Sequence, residues 1–124
     1  RAVLEGVKGR VDGFVDTDSE VIGQVTLEAG AEIRGSRIVG PVVIGANTRI
    51  TASYVGPSTS IAPDCRIESS EIEFSIVLAG ATVQGVRRIE SSLIGRDVEV
   101  TPAVGVPAAH RLVLGDHSKV RISS

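Results

Sequence analysis

The 124-residue sequence predicts an all-β fold, a single chain wound as a parallel β-solenoid of about six coils with a period of about 17 residues. Three observations predict it. Valine and isoleucine number 31 against six leucines, and only Phe14, Tyr54 and Phe74 are aromatic; β-branched side chains suit a pleated surface better than a helix. Aliphatic residues recur in columns at the same period. Fourteen glycines and five prolines supply the many turns that short strands require.

Taken in order, residues 1–13 lie outside the columns and read as the end of a linker helix or a lead-in segment covering the first coil, with the solenoid over 14–124. The first column is Val21, Ile38, Val55, Ile72 and Ile89. The second is Leu27, Ile44, Ile61 and Leu78, then Ile94 after a one-residue slip, and the third is Ile33, Ile50, Ile67, Val83 and Val100. Successive columns are separated by steps of about six, six and five residues, a hexapeptide repeat with one shortened side. Four residues beyond the second column a corner should admit only small groups: Ala31, Thr48, Cys65, Thr82 and Val98. The bend just before it favours left-handed backbone, at Gly30, Asn47, Asp64, Ala81 and Asp97. After an irregular insertion at 101–111, Leu114 to Val120 repeats the form of Ile44 to Ile50 and closes a further coil.

Several functions are excluded as expectations. Thirteen basic and 15 acidic residues, unclustered and with few aromatics, offer no nucleic-acid groove. No apolar run approaches the roughly 20 residues of a membrane span, so the expected location is the cytoplasm. Cys65 is the single cysteine, which leaves no internal disulfide and no cysteine-based zinc site, and we expect no cofactor or metal in this chain. The chain has no methionine and opens at Arg1, and reads as a piece of a longer protein.

Candidate chemical residues mostly have structural explanations. His117 falls in the bend column. His110, in the irregular segment, is the weak candidate for a general base on a hydroxyl or amine. Ser36, Ser53 and Ser70 recur at the repeat, each three residues after an aliphatic, and suggest a hydroxyl ladder between coils rather than a nucleophile. Cys65 sits in the corner column and reads as a packed thiol. The outward positions say more. Glu32, Arg49, Arg66, Glu99 and Lys119 mark one wet face, and Arg37, Tyr54, Glu71 and Arg88 another. The third face carries Thr26, Val43, Ser60, Val77, Leu93 and Val113. Val43, Val77, Leu93 and Val113 are therefore the candidate interface, with another subunit or with a further domain.

The stretches Ser92 to Val100 and His110 to Val120 resemble the C-terminal region of long-form glucose-1-phosphate thymidylyltransferases, and Arg1 to Glu5 resembles the end of the helix joining that region to their catalytic domain. The resemblance covers the whole chain. It implies a left-handed coil, where the general rule for parallel crossovers would give the right hand. It also implies a parent that transfers a thymidylyl group from dTTP to glucose 1-phosphate with Mg²⁺, and a scaffold role for this domain beside its missing N-terminal catalytic domain in a homo-oligomer. The alternatives are an acyl-CoA-dependent hexapeptide acyltransferase trimer with His110 as base, and a structural β-helix of another sugar-nucleotide or assembly protein.

Overall fold

The computed structural model describes residues 3–103, 113–114 and 119–123. All its regular elements are short parallel strands, most of two or three residues, stacked coil on coil. Each coil lays one strand on each of three walls. The first and second walls join along the eight-residue strand Glu20–Leu27, which bends round a corner, and so make one eleven-stranded sheet. The third wall is a seven-stranded sheet. It has one strand per coil, so it counts a coil more than the columns predict.

The additional coil lies at the start. Val3–Lys8 is a strand paired with Glu20–Leu27, Val11 bridges to Leu27, and Phe14–Val15 pairs with Glu32–Arg34. The helical alternative for this segment is thereby corrected. The edge of Glu20–Leu27 carries a row of N–H and C=O groups that a strand can satisfy and a helix cannot. Val11 and Val15 pack partly buried against the core, but Leu4 stays half exposed at the open end, so no column extends cleanly through residues 1–13.

The first and third columns fill the prism as expected, every member at most 1% exposed. The second does so with one change. Ile61 pairs in register with Val77, and Val77 with Ile94, so the slip falls one coil earlier than the sequence predicts. Val77 is fully buried, while Leu78 lies past the strand. Two corner assignments move with it: Ala81 rather than Thr82 is the buried small residue, and Gly80 rather than Ala81 takes the bend, with φ of 75°. That bend needs glycine twice over, because a Cβ there would also run into the Asp97 side chain of the next coil.

The cause of the slip is a corner motif. Where the chain passes from the third wall to the first it uses three-residue corners: Arg34-Gly35-Ser36, Thr51-Ala52-Ser53 and Glu68-Ser69-Ser70. Their middle residues have φ of 53°, 49° and 49°. The same corner appears between the first and second walls as Glu73-Phe74-Ser75 and Glu90-Ser91-Ser92, with φ of 51° and 50° at the middle residue. In all five the serine hydroxyl donates to the carbonyl two residues back, at 2.8–2.9 Å. Each shortens its side to five residues. Earlier coils turn that first-to-second corner with one residue more, through Gly23, Pro41 and Ser58.

Candidate interaction surface

The serines that close the tight corners also tie coil to coil. Ser36, Ser53, Ser70 and Val86 each donate a backbone N–H to the serine hydroxyl of the preceding coil, at 3.0–3.1 Å, starting from Ser19. Ser92 donates to Ser75 in the same way. This is the hydroxyl ladder expected from the repeat. Asp16 anchors its start by accepting from the Ser19 hydroxyl and from the N–H groups of Gly35 and Asp18, and the Ser19 bond foremost holds its carboxyl below the ordinary range. The hydroxyls of Ser19, Ser36, Ser53, Ser70 and Ser75 are thus each both donor and acceptor within the scaffold, and none is presented as a nucleophile.

Cys65 is likewise structural. Its N–H donates to the Thr48 hydroxyl at 3.2 Å, its Sγ lies 3.2 Å from the Leu78 carbonyl, and burial pushes the thiol up to about 11. A thiol in that state is a packed group rather than a reactive one. His110 and His117 lie outside the described residues. Among the described residues no group of three or more His, Cys, Asp or Glu side chains stands where a metal ion is held. No helix of the described residues is long and apolar enough to cross a membrane.

The outer faces differ sharply. On the third wall Glu32 pairs with Arg34 at 2.8 Å and with Arg49 at 3.9 Å, and the Arg34 guanidinium lies 4.9 Å from the centre of the Phe14 ring. Arg34, first by its hydrogen bond, keeps the Glu32 carboxyl below its usual value. On the second wall the outward residues are Thr26, Val43, Ser60, Ile76 and Leu93, in register. Val43, Ile76 and Leu93 are 44%, 50% and 37% exposed. Val77 is not among them: facing inward, it cannot line the stripe, and Ile76 stands in its place. Val113 continues the column beside Leu93 by backbone register, its side chain lying outside the described residues.

Phe74 stands beside this stripe, 53% exposed at the corner. Its N–H donates to the Pro57 carbonyl at 2.9 Å. A bulky side chain on left-handed backbone is uncommon, and here it displays an aromatic ring at the edge of an apolar face. Sequence reasoning missed both Ile76 and Phe74. Ile76-Val77-Leu78 offers three aliphatics, and spacing alone does not say which turns inward. The signal that does is Ser75, placed three after Ile72 as Ser70 is placed after Ile67.

No protein-family model matches the chain. A glucose-1-phosphate thymidylyltransferase of Streptomyces griseus is 64% identical over all 124 residues, and that of Streptomyces antibioticus 55% identical over the same span. In each case the chain covers 35% of the relative, at its C-terminal end. The chain corresponds to the C-terminal domain of this transferase family. It spans about a third of the length of these curated relatives, in which the other two thirds precede the matched part. The family's C-terminal domain is a left-handed parallel β-helix here. A solved structure from Bacillus cereus, assigned as an acetyltransferase, superimposes with a TM-score of 0.69 at 12% identity, covering 98% of this chain and 74% of that one. That likeness is one of fold.

Proposed function

We propose that this domain is the rigid assembly scaffold of a cytoplasmic glucose-1-phosphate thymidylyltransferase, inactive alone and joined to an N-terminal catalytic domain. The whole-chain identity of 64% to the C-terminal part of such an enzyme carries the reading. On this reading the parent transfers the thymidylyl group of dTTP to the phosphate of glucose 1-phosphate and releases pyrophosphate. Mg²⁺ belongs with the catalytic portion; the described residues of this chain do not fit it, and no step is derived through it.

The scaffold role follows from the outside of the prism. The second wall's uncharged stripe of Val43, Ile76 and Leu93, with Phe74 at its edge, is the face that joins it to another subunit of a homo-oligomer. Incubating the chain with dTTP, glucose 1-phosphate and Mg²⁺ should give no pyrophosphate, while a full-length enzyme carrying the domain turns over. Turnover by the chain alone would overturn the reading.

A further inference from the structure

The first wall carries a charge pattern that reads the same when reversed and inverted in sign. Its leading outward residues, one per coil, are Glu20, Arg37, Tyr54, Glu71 and Arg88, with Glu20 to Glu71 in direct register. All but the half-buried Tyr54 are exposed. Turned end for end about Tyr54, the column opposes Glu20 to Arg88 and Arg37 to Glu71. The adjoining corner column runs Asp18, Gly35, Ala52, Ser69 and Gly85, acidic at its first end and otherwise uncharged, with Arg87 following two residues after its last member. Glu20, Arg37, Tyr54 and Glu71 of the column, with Asp18 and Arg87, line a shallow open groove of about 420 Å³, with Asp18 and Glu20 at its first end and Glu71 and Arg87 at its last.

We propose that this face is a two-fold contact with a second copy of the chain, the axis passing beside Tyr54 parallel to the strands, so that the two prisms lie antiparallel. A two-fold interface must be its own complement, and a column of alternating sign about a neutral centre meets that condition only in the antiparallel sense. Among the described residues Glu20, Arg37, Glu71, Arg87 and Arg88 form no salt bridge within their own chain, unlike Glu32 and Arg34 on the third wall. Along the column Arg37 lies one coil, about 4.8 Å, from Glu20 with no salt bridge between them, whereas Arg37 and Glu71 are two coils apart, about 10 Å, and so meet only across an interface. The flanking outward column opposes Ile22 to Glu90 and Val39 to Glu73, so no like charges are brought together.

Tyr54 suits the centre of such an axis. Its ring lies over Gly56, where a Cβ would meet the phenol oxygen at 2.8 Å, and this flattens it against the wall and leaves one ring face outward. Two symmetry-related rings then stack offset. The face is narrow, five strands of about 4.8 Å, below the size of a standard stable interface, so the contact is weak and salt-sensitive by itself. It is separate from the second-wall stripe and stands whether or not that stripe self-associates.

The test uses the full chain carrying Leu93→Asp, which removes the stripe's contribution, at low ionic strength. Sedimentation equilibrium should show a dimer weakened about tenfold or more by Arg37→Glu or by Glu71→Arg, because symmetry turns both Arg37–Glu71 contacts into like-charge pairs. The double swap Arg37→Glu with Glu71→Arg should restore the dimer. Tyr54→Cys should form an intermolecular disulfide under mild oxidation. A monomer at all concentrations, or a swap no better than the single reversals, overturns the proposal. Circular dichroism of each variant separates loss of contact from loss of fold.

Discussion

The second and third walls have the same inside and opposite outsides. Both stack Ile, Leu and Val at no more than 1% exposure, and both repeat one strand per coil. Outside, the third wall settles its charges within the chain, as Glu32 does between Arg34 and Arg49 with Phe14 beneath the guanidinium. The second wall leaves Val43, Ile76 and Leu93 uncovered. The interior therefore encodes the solenoid, and the exterior encodes what the solenoid is for. A hydrophobic column is common to any such coil, whereas the uncharged outer face is what the proposed contact with another subunit rests on.

The hardest test of this contrast sets adjacent residues against each other. Val77→Asp buries a carboxylate with no partner and should cost about 4 kcal/mol or more, enough to unfold a marginal domain. Ile76→Asp, one residue away and half exposed, should leave the thermal midpoint nearly unchanged while lowering the sedimenting mass at high concentration. Equal effects on stability would show the inside and outside of the second wall to be wrongly placed.

A second test concerns the corners. Ser53→Ala removes the hydroxyl that accepts the Ser70 N–H and leaves that buried donor unpaired, which should cost about 1–3 kcal/mol in urea unfolding. Arg49→Glu on the outer third wall should change stability by less than about 0.5 kcal/mol. A serine variant as mild as the arginine one would demote the ladder to decoration.

Smaller still is the effect at Cys65. With its thiol at about 11, the thiolate fraction at pH 8 is about one in a thousand, so the native chain should react with a thiol-specific disulfide reagent far more slowly than the unfolded one. The rate should rise about tenfold per pH unit up to that value. Fast labelling at neutral pH would mean that the corner opens. Asp16 should act in the opposite direction of pH. Its native carboxyl lies below the unfolded value, so its stabilisation is present above the ordinary carboxylate pKa of about 4 and is lost as pH falls through the native one, loosening the first coils first.

The solenoid, its three walls, the ladder through Ser36, Ser53 and Ser70 and the packed Cys65 were all legible in the residue pattern, because a coil that repeats must place like residues over like. Register within a run of aliphatics was not. In Ile76-Val77-Leu78 every residue is apolar enough to face inward, and the misplacement carried Val77 into the candidate interface. The tight serine corner decides the matter by shortening one side, and its marker, Ser75 three after Ile72, becomes readable only once the hydrogen bond from hydroxyl to the carbonyl two back is seen.

What the amino-acid sequence determined by itself was the interior: branched aliphatics at a fixed period have one way to leave water together, by stacking along an axis. What only the tertiary structure decided was the exterior: which neighbour turns outward at a corner, that Phe74 stands exposed beside Ile76, and that among the described residues the charges of the first wall form no salt bridge along their own column. Burial is a property each residue type carries with it. Outward facing depends on the count of residues in the preceding turn, and a single hydroxyl changes that count.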